Sequence, residues 1–300
     1  MSAVAEKAHD LYPTRLAEAG APIQRQHPTV WGKPTDGPFD DSALQAHEER
    51  GFTILQDFIT SDEVSRYRGE LDRLVSDYAG ANDVRVVTEK ASGEVRSIFE
   101  VTSLSPMIDQ LSRDPRLLDR ARQLLGSEVY LHQTRVNYMP GFKGNGFYWH
   151  SDFETWHAED GMPGMHAVSA SIVLTDNHEF NGPLMLIPGS HKVFVPCLGE
   201  TPDDHHQQSL KQQELGVPSR EALRELVARH GIEAPKGAAG GLLLFDCNTL
   251  HGSNANMSPD PRSNVFFVYN RLDNACGEPF AARSRRPGFL AHEPGEKWSP

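Results

Sequence analysis

From residue 128 onward the chain reads as short strand-like segments, punctuated by Gly and Pro and not separated by regular helices. The candidates are 128–139, 146–152, 168–175, 183–187, 192–196, 241–246 and 264–271. Neighbouring parallel strands need long crossovers, usually helical, and several of these gaps are too short to supply them. The pattern predicts an antiparallel barrel or jelly roll rather than a βαβ fold. The 21 prolines and 25 glycines suit a turn-rich β protein.

Helical signals lie before and around these strands. A helix is expected at 41–50, then a strand over Gly51–Phe58. Thr60-Ser61-Asp62-Glu63 has the form of a capping box, followed by Val64, Tyr67, Leu71, Leu74 and Tyr78 at helical spacing. Residues 84–101 read as a hairpin around Ser92-Gly93, and Pro115 to Leu125 as a helix stopped by Gly126. Residues 1–40 are polar and Pro-rich, an irregular arm expected to pack on the core. Residues 199–236 are a polar insertion with a helix near 219–230, of the kind that forms lids or binding loops. The expectation is one domain over residues 1–300, mostly β with flanking helices.

The formal charge of −12 comes without any basic run, which argues against a nucleic-acid partner. No apolar run approaches the ~18 residues of a membrane span. Residues 1–20 lack the apolar core of a signal peptide. Cys197, Cys247 and Cys276 form neither a disulfide framework nor a thiolate metal site. These features predict a cytoplasmic protein.

The chemistry is suggested by histidines. H-x-[DE] occurs as His47-Glu49, His150-Asp152 and His157-Glu159, and with 14 histidines and 41 acids a couple of these are expected by chance. The first falls in the 41–50 helix, where i and i+2 diverge. The third falls in a Gly/Pro-bounded stretch. Only His150-Asp152 follows a strand-like run, Gly146-Phe147-Tyr148-Trp149, and residues i and i+2 of a strand share a face. His251 lies 99 residues after Asp152, just beyond the apolar run Leu242–Phe245. Two histidines and a carboxylate on one face of a metal, with three positions open, are the ligand set of non-haem Fe(II) oxygenases. Arg262 follows His251 by 11 residues, and its planar fork suits the distal carboxylate of 2-oxoglutarate.

On the strand 129–139, Gln133, Arg135 and Asn137 share one face by period 2. A polar triplet inside a barrel lines a wet cavity or binds a ligand, because leaving it unpaired costs ~1–3 kcal/mol per group. Glu159 and Asp160 are expected in a solvated loop closed by the Gly161-Met162-Pro163 turn. His191, in Pro188-Gly189-Ser190-His191, is expected to serve a turn.

The run from Phe147-Tyr148-Trp149-His150 through Asp152-Phe153-Glu154-Thr155-Trp156 to Gly161-Met162-Pro163 resembles the signature of the ectoine hydroxylases. So does the run from Asn181-Gly182-Pro183 to Ser190-His191. That family sits in the phytanoyl-CoA dioxygenase-like superfamily, and the resemblance covers essentially the whole chain. One departure is His166, where the family usually carries Arg.

The resemblance implies a double-stranded β-helix (jelly-roll, cupin-like) core and a homodimer. It implies 5-hydroxylation of the compatible solute ectoine, with Fe(II) and O2, coupled to conversion of 2-oxoglutarate to succinate and CO2. Residue by residue, it assigns iron to His150, Asp152 and His251. It assigns 2-oxoglutarate to Asn137, Phe147, Ser169, Ser253 and Arg262, and ectoine to Gln133, Arg135, Trp156, Phe245 and Phe266. Asp152 points to hydroxylation, since halogenating relatives lack this carboxylate. The alternatives are a hydroxylase of another small amino acid such as proline, or a non-catalytic binding barrel.

Overall fold

The computed structural model describes residues 9–211, 213–295 and 298. Its strands, in chain order, are β1 (Ile23–Gln24), β2 (Phe52–Leu55), β3 (Val86–Thr88), β4 (Val95–Phe99), β5 (Val129–Met139) and β6 (Phe147–His150), then β7 (Ala167–Val173), β8 (Leu184–Leu186), β9 (Val193–Phe194), β10 (Leu242–Asp246), β11 (His251–Ser253) and β12 (Arg262–Arg271). A seven-stranded sheet has the order β2-β10-β7-β12-β5-β4-β3, and a three-stranded sheet has the order β6-β11-β8. All pairings within both sheets are antiparallel. One cavity is lined from β4, β5 and β12 of the first sheet and from β6, β8 and β11 of the second. This is the jelly-roll arrangement expected from the strand pattern.

The helices are α1 (Asp41–Arg50), α2 (Ser61–Tyr78), α3 (Val101–Leu104), α4 (Pro106–Ser112), α5 (Pro115–Leu125), α6 (Asp152–Thr155), α7 (His206–Ser209) and α8 (Arg220–His230). The capping box of α2 forms: Glu63 N donates to the Thr60 hydroxyl at 3.3 Å, and Thr60 N donates to the Glu63 carboxylate at 2.7 Å. Asp114 caps α5, Pro115 occupies its first turn, and Gly126 ends it at φ 59°.

The long β5–β12 ladder divides the molecule. Val265, Phe267 and Tyr269 point outward and join Leu71 and Leu74 of α2, Ile108 and Leu111 of α4, and Leu117 and Leu124 of α5 in the main apolar core. The opposite face carries Gln133, Arg135 and Asn137 from β5 and Arg262, Asn264 and Phe266 from β12 into the cavity. Period 2 thus buries one face against helices and reserves the other for a wet interior.

Several expectations shift. The strand proposed over 51–58 shortens to β2, because Gly51 ends α1 at φ 80° and Asp57 turns at φ 51°. The hairpin of 84–101 forms, but its second strand stops at Phe99 and the chain turns into α3 and α4. The arm packs on the core as expected, with Tyr12 and Arg15 buried. The insertion of 199–236 holds α7 as well as α8, whose Leu223 and Leu226 pack on Ile187, Val195 and Leu250.

Candidate metal centre and cavity

His150 is the last residue of β6 and His251 the first of β11, and the two face each other directly across that ladder. The sheet therefore brings together two histidines a hundred residues apart. Asp152 does not share the strand with His150, contrary to the i, i+2 expectation. The strand ends at His150, Ser151 turns the chain, and Asp152 is the first residue of α6. The turn is held by the Ser151 hydroxyl, which donates to Cys247 O at 3.3 Å and to Asn248 Oδ1 at 3.0 Å.

The donor set fits a divalent metal. One ligand atom from each of His150, Asp152 and His251 lies within 4.8 Å of the other two. His150 Nδ1 sits 2.8 Å from Tyr148 O and His251 Nδ1 sits 2.9 Å from Thr249 O. A carbonyl only accepts, so both Nδ1 atoms carry the proton and both Nε2 lone pairs stay free. Those Nε2 atoms lie 3.7 and 3.9 Å from Asp152 Oδ1, a spacing that a metal bonded at ~2.0–2.2 Å can bridge. Burial, reinforced by His251, pushes His150 down to about 4, which keeps it a neutral ligand. Burial alone would raise Asp152, but His251 and Arg135 outweigh it and hold the carboxylate below its ordinary range.

The cavity around these ligands is lined by Gln133, Arg135, Asn137, Phe147, Trp156, Ser253, Arg262 and Phe266. Two residues of the expected set stand behind it. Ser169 donates to Asp152 Oδ2 at 3.4 Å, and the Phe245 ring packs 5.0 Å from the His251 ring and 6.4 Å from that of Phe266. Gly146, just ahead of β6, is required by close approach: a Cβ there would meet Ser253 O at 2.2 Å.

Arg262 is buried, its Nε has no hydrogen-bond partner, and no ion pair reaches it among the described residues. Burial, with the charge of Arg96 added, lowers it to about 10. Asn264 Oδ1 beside it is likewise buried and unpaired. Arg135 donates to Gln133 Oε1 and lies 4.5 Å over the Phe266 ring, again with no ion-pair partner among the described residues. Burial lowers it too, partly offset by Asp152.

Glu159 and Asp160 are not in a solvated loop. They are 2% and 0% exposed, inside a π-helical turn, Trp156–Asp160, that continues α6. Arg15 of the arm binds Glu154 through two nitrogens and reaches Glu159 at 3.1 Å, and His205 of the insertion contacts Glu159 at 2.7 Å. Arg286 grips Asp160 with two bonds of 2.7 and 2.6 Å, and His132 Nε2 adds a third contact at 3.2 Å. His191 does serve a turn, with Nε2 donating to Glu48 O at 3.1 Å. His166 lies against the His27 and Trp31 rings.

Arg286, which follows the last strand, carried no recognisable signal. Ser209, Leu210 and Gln213 come from the insertion, which reads as a lid or binding loop without singling out those residues. Asn264 was accessible to the period-2 rule, two residues beyond Arg262 on the same strand.

A jelly roll holding two histidines and a carboxylate on its inner face, with an unpaired arginine nearby, defines a non-haem iron oxygenase of the 2-oxoglutarate-dependent class. The sequence profile described as Phytanoyl-CoA dioxygenase (PhyH) matches residues 47–264. The chain belongs to that family. It is 64% identical to an ectoine dioxygenase of Halomonas elongata over 97% of this chain and 88% of the relative. Among solved structures, EctD from S. alaskensis with 2-oxoglutarate and 5-hydroxyectoine superposes with a TM-score of 0.85, at 45% identity and 95% coverage of both chains. The same protein with bound Fe gives a TM-score of 0.84 at 46% identity and 94% coverage of both.

Proposed function

We propose that this chain hydroxylates ectoine to 5-hydroxyectoine, using Fe(II) and O2 and converting 2-oxoglutarate to succinate and CO2. The observation that carries the reading is a cavity with two ion-pair-free guanidinium groups, the buried Arg262 and the half-buried Arg135, flanking a His-Asp-His triad. Arg262 and Phe266, which faces Arg135, are four residues apart on β12, about 13 Å at ~3.3 Å per residue. Two small anionic molecules can each claim one arginine.

In this assignment His150, Asp152 and His251 hold the iron. Bound iron, with the 2-oxo acid on it, supplies the O2 activation and the insertion of one oxygen atom into a C–H bond. The protein's residues orient and shelter the two organic partners. The Arg262 fork, with Ser253 and Asn137 near it, receives the distal carboxylate of 2-oxoglutarate, and Phe147 walls that end. Ser169 acts through Asp152 and Phe245 through His251, each fixing a ligand's orientation. Ectoine is a compact zwitterion, a carboxylate on a ring with a delocalised cation. Arg135 and Gln133 take the carboxylate, while Trp156 and Phe266 offer π-faces to the cationic ring, worth ~0.5–2 kcal/mol each when desolvated.

The whole chain 1–300 is taken as one catalytic domain, since both the arm and the insertion brace the turn that carries Trp156. No helix of the described residues is long and apolar enough to cross a membrane. Our reading places the enzyme in the cytoplasm as a homodimer, and light scattering on the purified protein checks the latter.

The test is succinate formation by purified protein with Fe(II) and 2-oxoglutarate. Ectoine stimulates it and free proline does not. Stimulation by proline alone replaces the substrate, and turnover without iron overturns the class.

A further inference from the structure

Phe147 and His150 both belong to β6, so whatever fixes the chain at 145–147 also fixes one wall of the cavity. A buried ion pair does so. Arg96 lies in β4 at a β-bulge: the register with β3 steps from Val87↔Ser97 to Thr88↔Val95, leaving Arg96 without a partner across the ladder. Bulges re-aim side chains. Here the guanidinium is turned onto the entry to β6. Its Nη1 donates to Asn145 O at 2.8 Å, its Nη2 to Gly146 O at 3.3 Å, and its Cζ lies 4.1 Å from the centre of the Phe147 ring.

Glu89 completes the knot. It pairs with Arg96 at 2.6 Å, accepts from Asn145 N at 3.1 Å, and accepts from Asn145 Nδ2 at 2.9 Å. The two side chains are 4% and 2% exposed. On the far side, Phe147 N donates to the Ser253 hydroxyl at 3.2 Å. A buried ion pair is a poor source of stability compared with apolar packing. What this one adds is orientation, because a planar fork held by two carbonyls and a carboxylate fixes the ring stacked on it.

We propose that Arg96, with Glu89 as its counter-ion, is a positioning residue for the co-substrate end of the cavity. It sets the Phe147 wall of that end through the contacts to Asn145 O, Gly146 O and the Phe147 ring. This rests on the assignment of the Arg262 end to 2-oxoglutarate.

The experiment titrates 2-oxoglutarate into the anaerobic Fe(II)-loaded enzyme, following the visible charge-transfer band, and measures the ectoine KM separately. The variants are Arg96→Lys, Phe147→Leu, the two combined, and Arg262→Lys. Arg96→Lys is expected to weaken 2-oxoglutarate binding by about tenfold, ~1.4 kcal/mol, and to leave the ectoine KM unchanged. Its cost shrinks in the Phe147→Leu background, because the two act through one wall. An unchanged 2-oxoglutarate affinity overturns the proposal. So does an equal loss for both ligands with additive double-variant costs, which is the mark of a purely structural role. If Arg96→Lys does not fold, the paired replacement Arg96→Met with Glu89→Leu removes both charges without orphaning either, and the same loss specific to 2-oxoglutarate is expected. If Arg262→Lys itself leaves 2-oxoglutarate affinity intact, the underlying assignment fails. If it weakens binding while the Arg96 variants do not, only the positioning role fails.

Discussion

The π-helical turn Trp156–Asp160 and the barrel cavity beside it are both rich in charge, yet only the acids of the turn have all found protein partners. Glu154 and Glu159 share Arg15, His205 closes on Glu159, and Asp160 lies between Arg286 and His132. Inside the cavity, Arg135 and Arg262 have no ion-pair partner among the described residues, and Arg262 Nε has no hydrogen bond at all. Leaving a buried charge uncompensated costs several kcal/mol. A chain that balances three buried carboxylates within one short segment and leaves two guanidiniums open beside it keeps those two for ligands. The balanced region is scaffold, and the unbalanced one is the site.

The distinction can be broken from either side. On the cavity side, Asp152→Ala removes the carboxylate on which both histidines converge. Turnover is expected to fall to background while the apparent melting temperature stays near wild type, because the cavity supplies little of the core. Near-wild-type turnover would falsify the triad.

On the scaffold side, Asp160→Asn strands Arg286 and His132. We expect a stability loss of about 3–5 kcal/mol, the usual cost of removing one partner of a buried pair, read from urea unfolding. An unchanged midpoint would mean that the network is not structural.

Arg262→Lys returns to the cavity and should show the reverse signature. Lys keeps the charge and loses the two-pronged geometry, so the KM for 2-oxoglutarate rises by about tenfold or more while stability holds. If the unfolding midpoint drops instead and the KM does not move, Arg262 belongs to the scaffold.

The smallest effect concerns pH. Burial alone lowers His132, but Cys276 and Asp160 outweigh it and raise it to about 9. The folded value lies above the ordinary 6.5, so its contribution to stability is whole below pH 6.5 and is lost as pH rises through about 9. The difference in stability between wild type and His132→Gln should therefore shrink over that window. A constant difference would show that His132 packs as a neutral ring.

The sequence made one of these two regions far more legible than the other. Cavity residues sit on long strands, where period 2 predicts a shared face, and that rule placed Gln133, Arg135 and Asn137 together on the inner side of β5. The triad was readable from motif and order, although the turn at Ser151 shows that the H-x-D geometry is not a strand geometry here. The scaffold charges were misread as solvated. Their partners lie between 28 and 144 residues away in the chain, and no local pattern distinguishes a glutamate in water from one waiting for Arg15. The same distance hid Arg286 and the individual residues that the insertion gives to the cavity wall. Short elements such as α3 and β11 were missed because they are stabilised by what packs on them rather than by periodicity of their own.

Whether the open cavity serves ectoine and 2-oxoglutarate together is read by mass spectrometry of the product formed under isotopically heavy O2. Ectoine is expected to gain one labelled oxygen at ring carbon 5 and succinate to carry the other, and Trp156→Ala to lower this gain sharply while 2-oxoglutarate binding persists. No oxygen gain on ectoine, alongside a robust gain on free proline, would contradict that role of the cavity.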